Sequence, residues 1–296
     1  MAYSCKIIAD SIAPTEVRLT TFEITFPRMV LAEFNTHRMF SRNSASSRAI
    51  PVDKQIARVL EDPFIPIYWG KNQKGMQADE ELSEEVQKEL VVDWLKARDS
   101  AVHHTEIFRN KGVHKQITNR FLETFMWHTV IVTATDWSNF FNLRNSPKAQ
   151  PEIQYIANEM QKTYLNSWPS LNAWHLPYAQ PGELEEHGLE MLIKLCVARC
   201  ARVSYLTHDG KRDVLADLNL YNSLLDSGHM SPMEHVARSM TLVEAKLSSS
   251  CLNFKGWIQH RAEISGEADI MSYRRKEQQM ADAGWENYPE IPQKGG

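Results

Sequence analysis

Between Val17 and Phe26 apolar and polar positions alternate, with Phe22, Ile24 and Phe26 on one face. That period of two predicts a half-buried strand. Pro27 suits the first turn of a helix, which Met29 to Phe34 would continue. The segment from His37 to Arg48 breaks the apolar pattern and reads as a polar loop. Residues 52–112 read as mainly helical and charged, with Ala78 to Arg98 the clearest stretch and its acidic run a solvated helical face. Lys115 to Leu122 predicts a further helix, and His128 to Thr135 a β-branched strand. Asp136 is placed to cap a short helix over Trp137 to Arg144, and Pro151 starts a longer one running to about Leu165.

A Pro/Gly-rich stretch, Trp168 to Gly182, reads as a linker. Beyond it the pattern predicts helices over Leu189 to Tyr205 and Asp213 to Leu225, the second stopped by Gly228. Val236 to Leu247 contains a strand-like run, and Gly284 to Gly296 is turn-rich. No full-length repeat or low-complexity tract divides the chain. We therefore expect an α+β fold: one mixed catalytic domain over residues 1–283, a largely antiparallel sheet packed with long helices, then the tail 284–296.

The composition is that of an ordinary globular protein, with 296 residues, 43% hydrophobic and 24% charged. A formal net charge of −4 gives no global field favouring nucleic acid or an anionic membrane, so a basic site has to be local. No stretch of about 18 apolar residues is present to span a bilayer. The start, MAYSCKIIAD, lacks the charged and apolar regions of a signal peptide. These features predict a cytoplasmic protein whose four cysteines (Cys5, Cys196, Cys200, Cys251) are reduced. Cys196 and Cys200, one helical turn apart, read as small core residues, with a redox or metal pair as the alternative.

Three constellations could carry chemistry. The first is His37 to Arg48, where arginines alternate with small hydroxyl residues. Guanidinium groups bind phosphates bidentately and serine hydroxyls add compact donors, so this is a phosphate cradle or simply a solvated loop. The second is His229 to His235. Ser231 and Glu234 have capping-box spacing, Pro232 falls at the first helical position, and the helix start could offer N–H groups to an anion. Metal ligation by His229, Glu234 and His235 is the weaker alternative, because the spacing is not that of a helical histidine pair. The third is Asp136 to Gln150, where Asn139, Asn142, Arg144 and Lys148 follow a strand. Amides there could read a ring edge and Arg144 could stabilise negative charge on a bound ring, or the same residues could serve as helix caps. No Walker loop, GxGxxG fingerprint or GxSxG elbow is present, and no cysteine lies in a basic context that would lower its pKa.

Together these segments resemble one family. Thr36 to Arg48 is similar to the signature of flavin-dependent thymidylate synthases, Arg-His-Arg-x-x-Ser-x-Asn-x-x-Ser-x-Arg, on which His37, Arg38, Ser41, Asn43, Ser46 and Arg48 fall. Asn119 to Glu123 (NRFLE) resembles the family segment whose arginine grips the nucleotide phosphate. NFFNLRNSPKAQPEI resembles the helix whose asparagine contacts flavin and whose arginine contacts the pyrimidine. Ala201 to Tyr205 (ARVSY) and GHMSPMEH resemble segments that contact FAD. Two departures stand out. ARVSY and HMSPMEH follow the signature by some 160 residues instead of preceding it, as in a circular permutation. Thr36 replaces the first signature arginine, and Ser44 the usual acidic residue. A second echo, Gly256 to Arg261 (GWIQHR), is either a degenerate copy of the signature or restores a missing contact.

The resemblance implies reductive methylation of dUMP to dTMP, with FAD as redox cofactor and NADPH and methylenetetrahydrofolate as co-substrates. It implies Arg144 as the catalytic group acting on the pyrimidine, and Ser46, Ser47, Arg48 and Arg120 as phosphate anchors. It assigns His37, Arg38, Asn43, Asn139, Ser204, His229, Ser231 and Glu234 to FAD, requires no metal, and implies a homotetramer. Two other readings stay open. One is a related flavin enzyme acting on another pyrimidine or transferring hydroxymethyl; the other is a non-catalytic nucleotide-binding protein.

Overall fold

The computed structural model describes residues 3–205, 213–248 and 250–265. The expected turn-rich tail, 284–296, lies outside them. The architecture is α+β, centred on a five-stranded sheet in the order β3-β4-β2-β1-β5. Its strands are β1 (Ser4–Ile12), β2 (Arg18–Pro27), β3 (Ser41–Ser44), β4 (Trp127–Ala134) and β5 (Ser170–Leu171). β2 pairs antiparallel with both β1 and β4, and β4 also takes β3 antiparallel, so only β5 runs parallel to its neighbour.

As the alternation predicts, Phe22, Ile24 and Phe26 share a face, and all three are fully buried. The strand is not half-buried, however: Leu19, Thr21 and Thr25 on its opposite face are buried too. The first face packs on α1 (Leu31–Asn35), α5 (Ser138–Arg144) and α6 (Pro151–Leu165) through Phe34, Phe40, Phe140, Ile153 and Ile156. Each fully buried phenylalanine or isoleucine there contributes about 1.5–3 kcal/mol of transfer free energy. α6 has the limits predicted from Pro151 and Leu165. On the outer side, α2 (Val52–Glu61), α3 (Glu84–Asn110), α4 (Lys115–Thr118) and a 3-10 stretch, Asn119–Phe125, form a second small core around Val59, Leu122 and Phe125. Of the acidic run, Asp79, Glu80 and Glu81 precede α3 and Glu84 and Glu85 begin it; Glu81 bridges to Gly70.

The opposite face of the sheet is covered by the second half of the chain. The Pro/Gly-rich stretch is not a linker. It contributes β5 at the sheet edge and β6 (Trp174–His175), which pairs with β7 (Ala237–Ser239). After α7 (Glu183–His187), α8 (Leu189–Arg202) packs on α9 (Val214–Asp226) through Cys196, Val197 and Leu224. Asp213 caps α9, and Gly228, with φ of 67°, ends the following turn in a conformation that other residues rarely adopt. α10 (Leu242–Leu247) is closed by a Thr241–Glu244 capping box. β8 (Ser250–Cys251) and β9 (Phe254–Lys255) form a hairpin, and β10 (Trp257–Gln259) leads into α11 (His260–Ser265). Gly256 is required at the entry to β10. Its φ is 66°, and a Cβ there would meet Val17 Cγ2 at 2.9 Å.

One buried hydrogen-bond chain joins the halves. Ser11 meets His175 Nδ1 at 2.9 Å, and His175 Nε2 meets Thr21 at 2.7 Å. Thr21 bonds Thr133 at 2.7 Å, and Thr133 meets His235 Nδ1 at 2.7 Å. All five side chains are buried, so their polar atoms depend on one another in place of water.

Candidate active site

The segment read as a loop from His37 to Arg48 contains a short strand, β3, because Ser41 to Ser44 pair with Val130 to Thr133 of β4. That pairing fixes which signature residues point inward. Asn43 is buried, and its amide donates to the carbonyl of Cys200 at 2.8 Å. Its Oδ1 accepts from Ser204 Oγ at 3.3 Å, and Ser46 N donates to the Ser204 carbonyl at 3.2 Å. Two segments 161 residues apart in the chain are thus joined at their motif residues. The rearranged order is closed in space.

The C-terminal motif meets the same strand. Glu234 ends the single 3-10 turn Ser231–Glu234, which contacts β3. The capping box expected from Ser231 and Glu234 does not form: Met230 is the N-cap, and no side chain caps the turn. Glu234 is drawn to Arg261 Nη1 at 2.5 Å instead. Gln259 Nε2 donates to Ser41 Oγ at 2.7 Å and to the Glu234 carbonyl at 3.0 Å. The echo from Gly256 to Arg261 therefore grips Glu234 and the signature strand, and does not reach position 36. His235 belongs to the buried chain described above. His229 is exposed.

A second cluster forms beneath the signature. Ser47 is buried and donates to Glu123 Oε1 at 2.7 Å. The same oxygen accepts from Arg120 Nη1 at 2.6 Å and from Arg28 Nη2 at 3.0 Å. Burial would raise the Glu123 pKa, but these donors outweigh it and hold the carboxyl below its usual range. Asn119 fixes the backbone here by donating to the carbonyls of Ser47 and Ile50 at 2.7 and 3.0 Å. A cavity of about 390 Å³ opens beside Glu123, lined also by Arg28, Leu31 and Asn35. Arg120 and Arg48 are exposed, Ser46 is half-buried, and Ser47 faces inward.

The third group surrounds Arg144 at the end of α5. Its Nε donates to His37 Nε2 at 3.0 Å, and its Nη2 donates to the Glu33 carbonyl at 3.2 Å and to Thr36 Oγ1 at 3.1 Å. Burial, then the charges of Arg144 and Arg42, push the His37 pKa down to about 4. The imidazole is therefore neutral at physiological pH, as an acceptor at Nε2 must be. Arg38, Arg48, Asn139 and His229 are exposed and make no side-chain hydrogen bond or ion pair among the described residues.

Glu123, Asn119, Gln259, Arg261 and the Glu33 carbonyl were not among the residues expected from sequence. Glu123 and Asn119 sit in the NRFLE segment, so their proximity to Arg120 was the available signal. Among the described residues no group of three or more His, Cys, Asp or Glu could hold a metal ion, and no helix is long and apolar enough to cross a membrane. Three cysteines are buried and Cys5 is partly so. Desolvation pushes the Cys5 thiol up to about 11 and Cys196 to about 12, and raises Cys200 well above its ordinary value.

Comparison with known proteins gives one strong result. The family described as thymidylate synthase complementing protein matches residues 10–170, more than half of the chain and the part that holds the signature, Arg120 and Arg144. No curated protein matches the chain. Among solved structures, the UMP/dUMP methylase PolB from Streptomyces cacaoi bound with 5-Br UMP is 15% identical with a TM-score of 0.46, over 55% of this chain and 88% of that one. The same methylase bound with 5-Br dUMP is 14% identical with a TM-score of 0.45, over 55% of this chain and 90% of that one. Both likenesses are remote, and the family match alone carries the conclusion: the chain belongs to the thymidylate synthase complementing protein family.

Proposed function

We propose that this protein is a flavin-dependent thymidylate synthase. It would methylate dUMP to dTMP using methylenetetrahydrofolate, NADPH and bound FAD, and would act as a homotetramer. The observation that carries this reading is the joining of the signature strand to the distant motif segments, through Asn43 with Ser204 and through Gln259 with Ser41 and Glu234.

The donor set fits a dinucleotide cofactor. Arg38 is exposed and uncommitted among the described residues, which suits a pyrophosphate, and the exposed Asn139 amide suits a ring edge. His37, Asn43, Ser204, His229, Ser231 and Glu234 would complete the FAD surface, Asn43 and Ser204 by holding its wall. FAD, when bound, supplies the hydride chemistry. Arg48, Ser46 and Arg120 would hold the nucleotide phosphate, with Ser47 acting through Glu123. Arg144 would stabilise negative charge on the pyrimidine, which raises the nucleophilicity of C5 without a covalent adduct.

The cysteines support a route without a thiolate. At pH 7.5 a thiol of pKa about 11 is ionised to the extent of on the order of one molecule in a few thousand. Changing Cys5, Cys196 or Cys200 singly to alanine is therefore expected to leave kcat within about twofold of wild type in steady-state assays. Loss of turnover with fold and flavin intact would point to a thiol mechanism. The visible spectrum tests the reading itself: the purified protein, with FAD added if needed, is expected to show flavin bands that survive gel filtration. A colourless protein after that treatment would leave only a nucleotide binder.

A further inference from the structure

Arg144 is held by three acceptors, and none of them is charged. His37 offers a neutral imidazole nitrogen, Glu33 a backbone carbonyl and Thr36 a hydroxyl. These bonds use Nε and Nη2 of the guanidinium. The two Nη1 protons have no partner among the described residues. No carboxylate lies within 4.0 Å of Arg144 among them either, so its charge is not neutralised by an ion pair. The acceptors are themselves fixed. Thr36 Oγ1 donates to the Glu33 carbonyl at 2.7 Å, which orients a lone pair for Arg144. The His37 ring is stacked on Phe40 with centroids 5.7 Å apart and meets Phe140 edge-on at 4.9 Å.

Position 36 is where the signature carries arginine. A carboxylate there would quench the charge that Arg144 has to present. A short neutral hydroxyl does not. We propose that Thr36 is a positioning residue: with His37 and the Glu33 carbonyl it clamps Arg144 so that Nη1 faces the pyrimidine with its charge undiminished. This rests on the reading of Arg144 as the group that acts on the base. It makes the departure from the signature a working part of the site.

Thr36 is exposed, so its variants are expected to fold. Thr36→Val keeps the shape and removes the hydroxyl; Thr36→Ser keeps the hydroxyl. In the FAD-loaded enzyme, Thr36→Val is expected to lower kcat roughly 10- to 50-fold with the KM for dUMP changed less than about threefold, the pattern of a lost transition-state contact. Thr36→Ser should restore kcat to within about twofold. The NMR signals of the Arg144 Nη2 protons should be protected from solvent exchange in wild type and Thr36→Ser, and exchange at least about tenfold faster in Thr36→Val. Wild-type kcat in Thr36→Val, or an unchanged Arg144 signal, overturns the proposal. If the wild type turns over no pyrimidine nucleotide, the proposed function fails, and the exchange measurement still decides whether Thr36 clamps Arg144.

Discussion

Replacing Arg144 with alanine is expected to lower turnover of dUMP by about two to three orders of magnitude while flavin content stays at the wild-type level. That is the typical loss when one preorganised donor facing developing charge is removed. The physical basis is the geometry around the guanidinium. Its three bonds to neutral acceptors fix its plane before substrate arrives, so no reorganisation is needed when charge builds on the ring. Lysine is not expected to rescue, because an ammonium is a point charge and cannot hold His37 and Thr36 while also facing the base. Kinetics and flavin absorbance on the same preparation check this. Wild-type turnover in Arg144→Ala would remove the residue from the chemistry.

Acid is expected to destabilise the protein well above the range in which carboxylates titrate. His128, His175 and His235 are buried, and that burial is the main cause that pushes their pKa values down to about 3. A histidine depressed in the folded state is neutral there but protonates in the unfolded chain below about pH 6.5. The unfolded state then binds more protons, so stability is full above pH 6.5 and is lost as pH falls toward 3. Each such group costs about 1.4 kcal/mol per pH unit in that window, so the three together remove about 6 kcal/mol by pH 5. That is comparable with the whole stability of many domains. Urea midpoints measured from pH 7.5 to 5 are expected to fall steadily. A flat profile over that range would mean that these rings are not held neutral. His175 and His235 both belong to the chain through Thr21 and Thr133, so Thr21→Val should weaken the fold and shift its acid transition upward.

Local pattern carried part of the structure and stopped where distant pairing took over. The β-branched run at His128 to Thr135 and the Pro151 helix are strong local signals, and both elements form within a residue of their expected limits. β3 has a polar sequence, Ser-Arg-Asn-Ser, and becomes a strand only because β4 offers it an edge. The supposed linker hides two-residue strands, too short for any period, that exist through β1 and β7. The Ser231 capping box does not form, and the Glu234 carboxylate turns to Arg261, 27 residues on. Thr241 and Glu244, with the same spacing, do form one, and Glu244 takes two bonds from Arg238 as well.

The site was legible in its residue types more than in their roles. Arg144, His37 and Thr36 were all visible, yet nothing in the sequence told that His37 would turn its Nε2 to Arg144. Ser47 looked like a phosphate donor beside Arg48, and the turn after β3 places its hydroxyl inward on Glu123. Glu123 itself, a carboxylate among residues proposed to hold a phosphate, becomes intelligible only once Arg28, Arg120 and Ser47 are seen to converge on one of its oxygens.

The most direct test of the proposed reaction is the identity of the product. The FAD-loaded protein would be incubated with dUMP, methylenetetrahydrofolate and NADPH, and in parallel with dCMP in place of dUMP, and the nucleotides weighed by mass spectrometry. The expected result is dTMP from dUMP, dependent on both the folate and NADPH. A hydroxymethylated nucleotide, or a product formed only from dCMP, would contradict thymidylate synthesis while leaving a flavin enzyme of another specificity.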